Sequence, residues 1–390
     1  GQMLIEAAQN TGATITAGTS SARPLFDVES RWTRVASPDS TDGAINPAKM
    51  PVAMVRTTIG SAGVPAVFSV AAIAWNTRIL GDSENNPSPS IFQNGDTISD
   101  IFFHEQRLGL AGGENVVLGQ AGDLYNFFKG DPENLVDSDP IDLQISSDRV
   151  GSVEFVCPLR DTHVLFTKAG EQFELTQPET FTPSTAGLRH TASYTTLPVR
   201  PRAINNSMYA LVSGGFARLH EYPYNAQGGV AGLTEADDVS MHAKSLLPSA
   251  LKTIATHESS GRVFIIGNTD SRIWLYRGVM RQNRKDQSSW TVWSMSGTIL
   301  DVCVLDDDLW VLFTKTGGQY TVERIPITEQ SDDDGYAFVV CLDRKVKLTG
   351  SHSAGTTTWT LPDGVSDTSM TVIVLGPAFG SSSGTVLTAT

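Results

Sequence analysis

The chain reads as all-β, and within that class as a β-propeller with blades of about 45–55 residues, flanked by further β-rich modules. Three observations predict this. Long helical periodicity is scarce, and most of the chain consists of short β-branched and aromatic runs broken by Gly, Asn, Asp and Ser. The seven Trp, eight Tyr and sixteen Phe sit mostly inside those runs, where flat rings pack on a pleated surface. One stretch of text also recurs: Val164-Leu165-Phe166-Thr167-Lys168 returns 147 residues later, three periods of 49, as Val311-Leu312-Phe313-Thr314-Lys315.

The first 97 residues have a texture of their own. Ser, Thr, Pro and Gly interrupt a few strands, at residues 51–56 and 67–75, and predict a separate β-rich module. Residues 4–9 carry a helical pattern, as do residues 240–254 farther along.

The propeller region spans 98–343. Its first unit is Arg107-Leu108-Gly109-Leu110-Ala111-Gly112-Gly113 followed by Asn115-Val116-Val117-Leu118. The matched copies at 164 and 311 bracket two degenerate ones, Tyr209-Ala210-Leu211-Val212 and Val263-Phe264-Ile265-Ile266, each running into a Gly turn. One such sheet cannot bury both of its faces alone, so five units predict stacking around an axis. Residues 344–390 alternate in strand fashion around Pro362-Asp363-Gly364 and open a third β module. A Gly at position 1, with no initiator Met, and a C-terminus that closes no element read as a piece of a longer chain.

Composition narrows the function. With 40% hydrophobic and 18% charged residues the chain is globular, and no apolar run reaches the roughly 20 residues of a membrane-spanning helix. Lys and Arg number 28 against 42 Asp and Glu, a net charge of −14, which repels phosphate backbones and disfavours tight DNA binding. Cys157, Cys303 and Cys341 form no CxxC pair and read as buried small hydrophobes.

Catalytic motifs are wanting. There is no phosphate-cradling GxxxxGK[ST] loop and no GxSxG elbow. His104-Glu105 opens like a zincin motif, but Leu108 stands where the second His belongs, so the sequence implies no metal and no cofactor. The acidic runs at Asp306-Asp307-Asp308 and Asp332-Asp333-Asp334-Gly335 match no calcium loop and read as turns. Carboxylates for glycoside cleavage would have to come from Asp100, Glu105, Glu114 or Asp123, two of them about 5–9.5 Å apart. A basic cluster, Arg277, Arg281, Arg284 and Lys285, lies between two aromatic strands and reads as a solvated hairpin loop, its rings flanking the cations without interleaving as stacking platforms.

Between residues 51 and 142 a series of blocks carries a resemblance. Trp75, Arg78, Gly81-Asp82, Asn86-Pro87, Arg107-Leu108-Gly109, Gly113-Glu114-Asn115-Val116-Val117, Ala121-Gly122-Asp123, Asn126-Phe127-Phe128 and Asp139-Pro140-Ile141-Asp142 resemble, in order and spacing, the tail nozzle (tail tubular B) proteins of short-tailed bacteriophages. The likeness continues through Trp290 and Trp293 to Leu342-Asp343-Arg344, and departs from the family at Gly119-Gln120.

The resemblance implies a non-enzymatic virion tail protein. Six copies form a ring below the tail adaptor, each with a β-propeller, around the channel through which viral double-stranded DNA leaves without tight binding. Tail fibres and, at the distal end, the host surface are the other implied partners. In that setting Asp332, Asp333 and Asp334 are candidates for the channel wall, and Arg277, Arg281, Arg284 and Lys285 for contacts with a neighbouring subunit. Within the shared blocks, Gly109, Gly112, Gly113 and Gly122 suit tight turns, Asn115 and Asp123 suit turn capping, and Phe127 and Phe128 suit blade-to-blade packing. The alternative is a tail propeller that binds or cleaves glycan.

Overall fold

In the computed structural model, the described residues run from 43 to 327, apart from short stretches at 62–63, 94–95, 177–179, 226–231, 234–235, 282–283 and 315–317. Isolated strand residues near either end (3–5, 14–16, 40–41, 351–353, 356–358, 371–374 and 385–388) are also described. The backbone divides into two compact units, residues 1–327 and 328–390.

Five antiparallel sheets follow one another in the first unit, and together they make the β-propeller. The first sheet takes Ile98–His104, Arg107–Gly112, Asn115–Leu118 and Ile141–Gln144. The second takes Val153–Leu159, Thr162–Thr167, Gln172–Thr176 and Gly187–Ala192. Arg202–Ile204, Ser207–Val212 and Arg218–Asn225 build the third, with Gly232–Leu233 and Asp237–Asp238 both paired to its third strand. Leu251–His257, Arg262–Gly267, Arg272–Arg281 and Arg284–Ser294 form the fourth, and Thr298–Leu305, Asp308–Thr314 and Tyr320–Pro326 the fifth. The repeated text at 164 and 311 falls on the second strands of the second and fifth sheets, and the degenerate copies on the second strands of the others.

The second strands show why their sequences are nearly continuous apolar runs and do not alternate. Those of the second, third and fourth sheets are covered on both faces by neighbouring sheets, whereas Asp308–Thr314 of the fifth buries only alternate residues. Leu165 packs with Phe102, Val116 and Leu118 of the first sheet, while Val164 and Phe166, pointing the other way, meet Met208 and Ala210 of the third. Tyr209 and Leu211 then face Val263 and Ile265 of the fourth, whose Phe264 and Ile266 face Val311 and Phe313 of the fifth. Strand alternation thus sends successive residues into successive interfaces. Filling each interface with branched and aromatic side chains supplies the apolar burial that a single small sheet lacks.

The outer face of the first sheet is covered differently. Leu108, Leu110 and Val117 pack against Ile45, Met50, Ile73, Trp75, Ile91 and Phe92 of the preceding segment, and Phe127 and Phe128 join that cluster. Trp75 lies 5.6 Å, edge-on, from Tyr125 and 5.8 Å from Phe127. The two phenylalanines therefore seal the first sheet to the N-terminal segment instead of packing blade on blade. Arg107, buried in the same region, donates to the carbonyls of Gly119, Asp137, Ser138 and Asp139 and so pins down the long connection before the outer strand. In the N-terminal segment Val52–Thr58 pairs with Val67–Ala72, as the sequence predicts.

Other expectations change. Residues 3–5 form a strand, and residues 6–9 lie outside the described residues. The helical pattern at 240–254 resolves into a single 3-10 turn, Met241–Ala243, and the strand Leu251–His257, because the second strand Arg262–Gly267 offers pairing that outweighs a short helix. Cys157 is buried, and burial pushes its thiol up to about 12, whereas Cys303 is exposed and Cys341 lies outside the described residues. Of the four glycines, Gly113 and Gly122 have positive φ; Gly109 is required for space instead, since a Cβ there would sit 2.3 Å from Cζ of Phe102. Asn115 is a buried strand residue and not a turn cap. In the second unit, Ser351–Ser353 pairs with Thr356–Thr358, and Thr371–Val374 with Thr385–Thr388, so the two strands flanking Pro362-Asp363-Gly364 are each paired with another partner.

His163 sits between the first two sheets with its ring 4.9 Å from that of His104 and 5.1 Å from Phe102. Its Nδ1 is buried without a hydrogen-bond partner, and burial, with His104 and Arg200 adding repulsion, lowers its pKa to about 4. The unfolded chain takes up this proton near the ordinary His value of 6.5, so the contribution of His163 to stability is present above about pH 6.5 and is lost as pH falls toward 4. Urea unfolding of the wild type should show this acid limb, amounting to a few kcal/mol at most; His163→Phe should flatten it, and an unchanged limb in that variant counts against the assignment.

Candidate functional site

A β-bulge recurs at one place in four of the five sheets. The register of the first strand slips between Ile98 and Asp100, Val153 and Phe155, Leu251 and Thr253, and Ile299 and Asp301. In the third sheet Arg200 comes two residues before the strand Arg202–Ile204. The first strands of successive sheets lie side by side, so the bulges aim Asp100, Phe155, Thr253 and Asp301 toward the region where these strands converge.

There they form a polar clamp. Asp100, 2% exposed, accepts the N–H of Ile101 through Oδ1 at 2.9 Å and that of Val156 through Oδ2 at 2.7 Å. Arg200 brings Nη1 to the same carboxylate at 2.8 and 2.7 Å, and its Nη2 donates to the carbonyl of Val156 at 3.0 Å. Its guanidinium stands 6.0 Å over the ring of Phe155. One residue of the second sheet, Val156, is thus held by its N–H from the first sheet and by its carbonyl from the third. Asp301 repeats the local half of the pattern, accepting the N–H of Val302 at 2.8 Å and the hydroxyl of Thr253 from the fourth sheet at 3.2 Å. Burial raises its pKa, and Lys252 and Arg202 oppose the rise. Arg202 donates to the carbonyl of Ile254 at 3.4 Å.

A second polar cluster joins the hairpin ends of the fourth and fifth sheets. His257, 5% exposed, has Ser260 Oγ 2.7 Å from Nδ1, and Asp307 Oδ1 and Ser259 Oγ each 3.1 Å from Nε2. A shallow cleft lies beside it, lined by Thr256, Glu258, Ser259, Val304 and Asp306 among others. The residue types are those of a nucleophile triad, but both ring nitrogens are already engaged by the two hairpins and Asp307 is 63% exposed, so the geometry is that of a cross-link.

The carboxylates considered for glycan cleavage are not brought together as a free pair. Asp100 is neutralised by Arg200. Glu105 is exposed in the first hairpin with a positive φ of 44°. Glu114 accepts the N–H of Gly151, and Asp123 accepts from Asn76 at 2.8 Å and caps the turn at Tyr125. Among the described residues no three His, Cys, Asp or Glu gather as metal ligands. Asp306 and Asp307 form the turn that the sequence predicts, whereas Asp332, Asp333 and Asp334 lie outside the described residues. Arg277 is exposed; Arg281 and Arg284 are register partners at the end of the hairpin that also carries Lys285, and the side chains of these three lie outside the described residues. The clamp itself escaped the sequence reading, because its partners are 100 residues apart; the only available signal was an Asp at the same place in the first and fifth units.

A model of the bacteriophage nozzle protein family matches residues 25–386. Tail tubular protein gp12 of Escherichia phage T7 is 26% identical over 331 residues, which are 83% of this chain and 40% of that relative. The chain therefore spans about two fifths of the length of the curated relative it matches. Among solved structures, Prp20p of Saccharomyces cerevisiae is 10% identical with a TM-score of 0.38, covering 66% of this chain and 62% of its own. YCF48 bound to D1 peptide is 12% identical with a TM-score of 0.37, covering 83% and 87%.

Breaking the clamp on one side should be costly, since Asp100→Ala leaves the buried N–H of Val156 unpaired and Arg200, its side chain 32% exposed, without its carboxylate. Asp100→Ala should lower the unfolding free energy by about 2–3 kcal/mol, and combining it with Arg200→Met should recover part of that loss in equilibrium denaturation. A single variant within about 1 kcal/mol of wild type would remove the clamp from its structural role.

Proposed function

The chain belongs to the bacteriophage nozzle protein family, and from that premise we propose that it is a structural component of a short, non-contractile phage tail. In this reading six copies form a ring around the DNA exit channel, below the tail adaptor, with tail fibres attached and the host surface at the distal end. Residues 1–97 serve as a platform, 98–343 as the propeller, and 344–390 begin the nozzle tip.

One observation supports the structural role above the others. The polar groups gathered where the inner strands meet are spent on holding the sheets to one another: Asp100, Arg200 and the Val156 backbone satisfy each other. The charge of −14 suits a conduit as well. A wall that attracted the DNA backbone would retard its passage, and at about 0.15 M salt the Debye length of about 8 Å confines any repulsion to DNA close by. Asp332, Asp333 and Asp334 are proposed for that wall.

The full-length protein should assemble as a hexamer by light scattering and as a ring in electron micrographs. It should bind duplex DNA weakly near 0.15 M salt, and sub-micromolar, steeply salt-dependent binding would contradict the conduit. Incubation with host surface polysaccharide should release no new reducing ends; release that is abolished by changing Glu114 or Asp123 in a folded variant would turn the reading toward glycan cleavage.

A further inference from the structure

Two surfaces of opposite charge stand on different sheets of the first unit. One is the hairpin of Arg272–Arg281 and Arg284–Ser294. Its register continues to Arg281↔Arg284, but the neighbouring strand Arg262–Gly267 supports it only as far as Arg277, which is opposite Arg262. From Gly278 onward the described residues of the hairpin pair only with each other and run past their sheet as a two-stranded arm, and a two-stranded ribbon is marginal in water without something to pack on. Arg277, Arg281, Arg284 and Lys285 fall within nine residues, in a chain with only 28 Lys and Arg. Arg277 and Val279 are exposed.

The other surface surrounds the outer strand of the first sheet. Residues 131–150 hold six carboxylates and one cation, Arg149. Asp139 is buried and accepts backbone N–H groups, but Glu133, Asp137 and Asp148 are exposed. Large apolar residues are exposed with them: Leu135 at 54%, Val136 at 48% and Val150 at 94%. Apolar contacts among like charges, opposite an arm of the other sign, are the composition of a specific protein interface, with charges selecting the partner and apolar groups supplying the affinity.

The two surfaces stand on different sheets, with the second and third between them in the packing order. Two unlike, complementary flanks on one subunit are what a head-to-tail ring requires. We infer that the arm at 277–287 of one copy docks on the 131–150 surface of the next, its cations over the carboxylates and Val279 toward Leu135, Val136 and Val150. This rests on the reading of the chain as a ring-forming tail component.

The test uses the full-length protein and sedimentation velocity at several salt concentrations. Arm reversal (Arg277→Glu with Arg281→Glu) and surface reversal (Glu133→Lys with Asp137→Lys) should each weaken assembly at least about tenfold, and less so at high salt. Combining both reversals should restore assembly to within a fewfold of wild type, an outcome that a mere folding defect does not produce. Reversals that assemble like the wild type, or a combined variant that folds cooperatively but shows no rescue, overturn the docking and leave the nozzle reading standing. A wild type that never assembles, alone or with the tail adaptor, removes the ring reading itself. Loss of duplex DNA binding on arm reversal, with assembly unchanged, would assign the arm to nucleic acid and overturn the inference.

Discussion

Where several sheets converge, the inner edge of each first strand presents N–H and carbonyl groups that no further strand can pair, and these groups are shielded from water by the neighbouring sheets. The clamp of Asp100 and Arg200 on the backbone of Val156 is the answer to that constraint. It satisfies an edge donor and an edge acceptor at once, it neutralises the charges that do so, and it ties three consecutive sheets through one peptide segment. Apolar packing holds each sheet to the next but is tolerant of small slides; hydrogen bonds of 2.7 to 3.0 Å with fixed directions are not.

The packing follows the same economy. Second strands buried on both faces commit every side chain to one interface or the other, as Val164, Leu165 and Phe166 do. The hairpin ends are then joined by polar ties, of which His257 with Asp307 and the two serines is the fullest. A scaffold in which the polar groups of the clamp and of the hairpin ends are spent on cross-links suits a structural part of a tail. Outside the stack lie the basic arm of the fourth sheet and the acidic, partly apolar border of the first.

The sequence by itself determined the class of fold and its period. Val164 to Lys168 and Val311 to Lys315 are legible as equivalent strands because the same apolar run recurs in each before a Gly that turns the chain, although only the first of the two strands is buried on both faces. The turn at Asp306 was legible as well, since a short acidic run between two apolar strands has few other uses. The structure alone decided which residues meet across the sheets. The 240–254 stretch looked helical because its period is local, while the strand at Leu251–His257 exists through pairing with Arg262–Gly267. Phe127 and Phe128 read as blade contacts and became the seal on the N-terminal segment, an outcome set by Trp75 and Phe92 arriving from far upstream. Asp100 looked like a candidate acid until Arg200 was found on it. Local sequence encodes burial and turn geometry, which are properties of neighbouring residues; a buried charge takes its role from its partner, and the partner is brought to it only when the sheets are stacked.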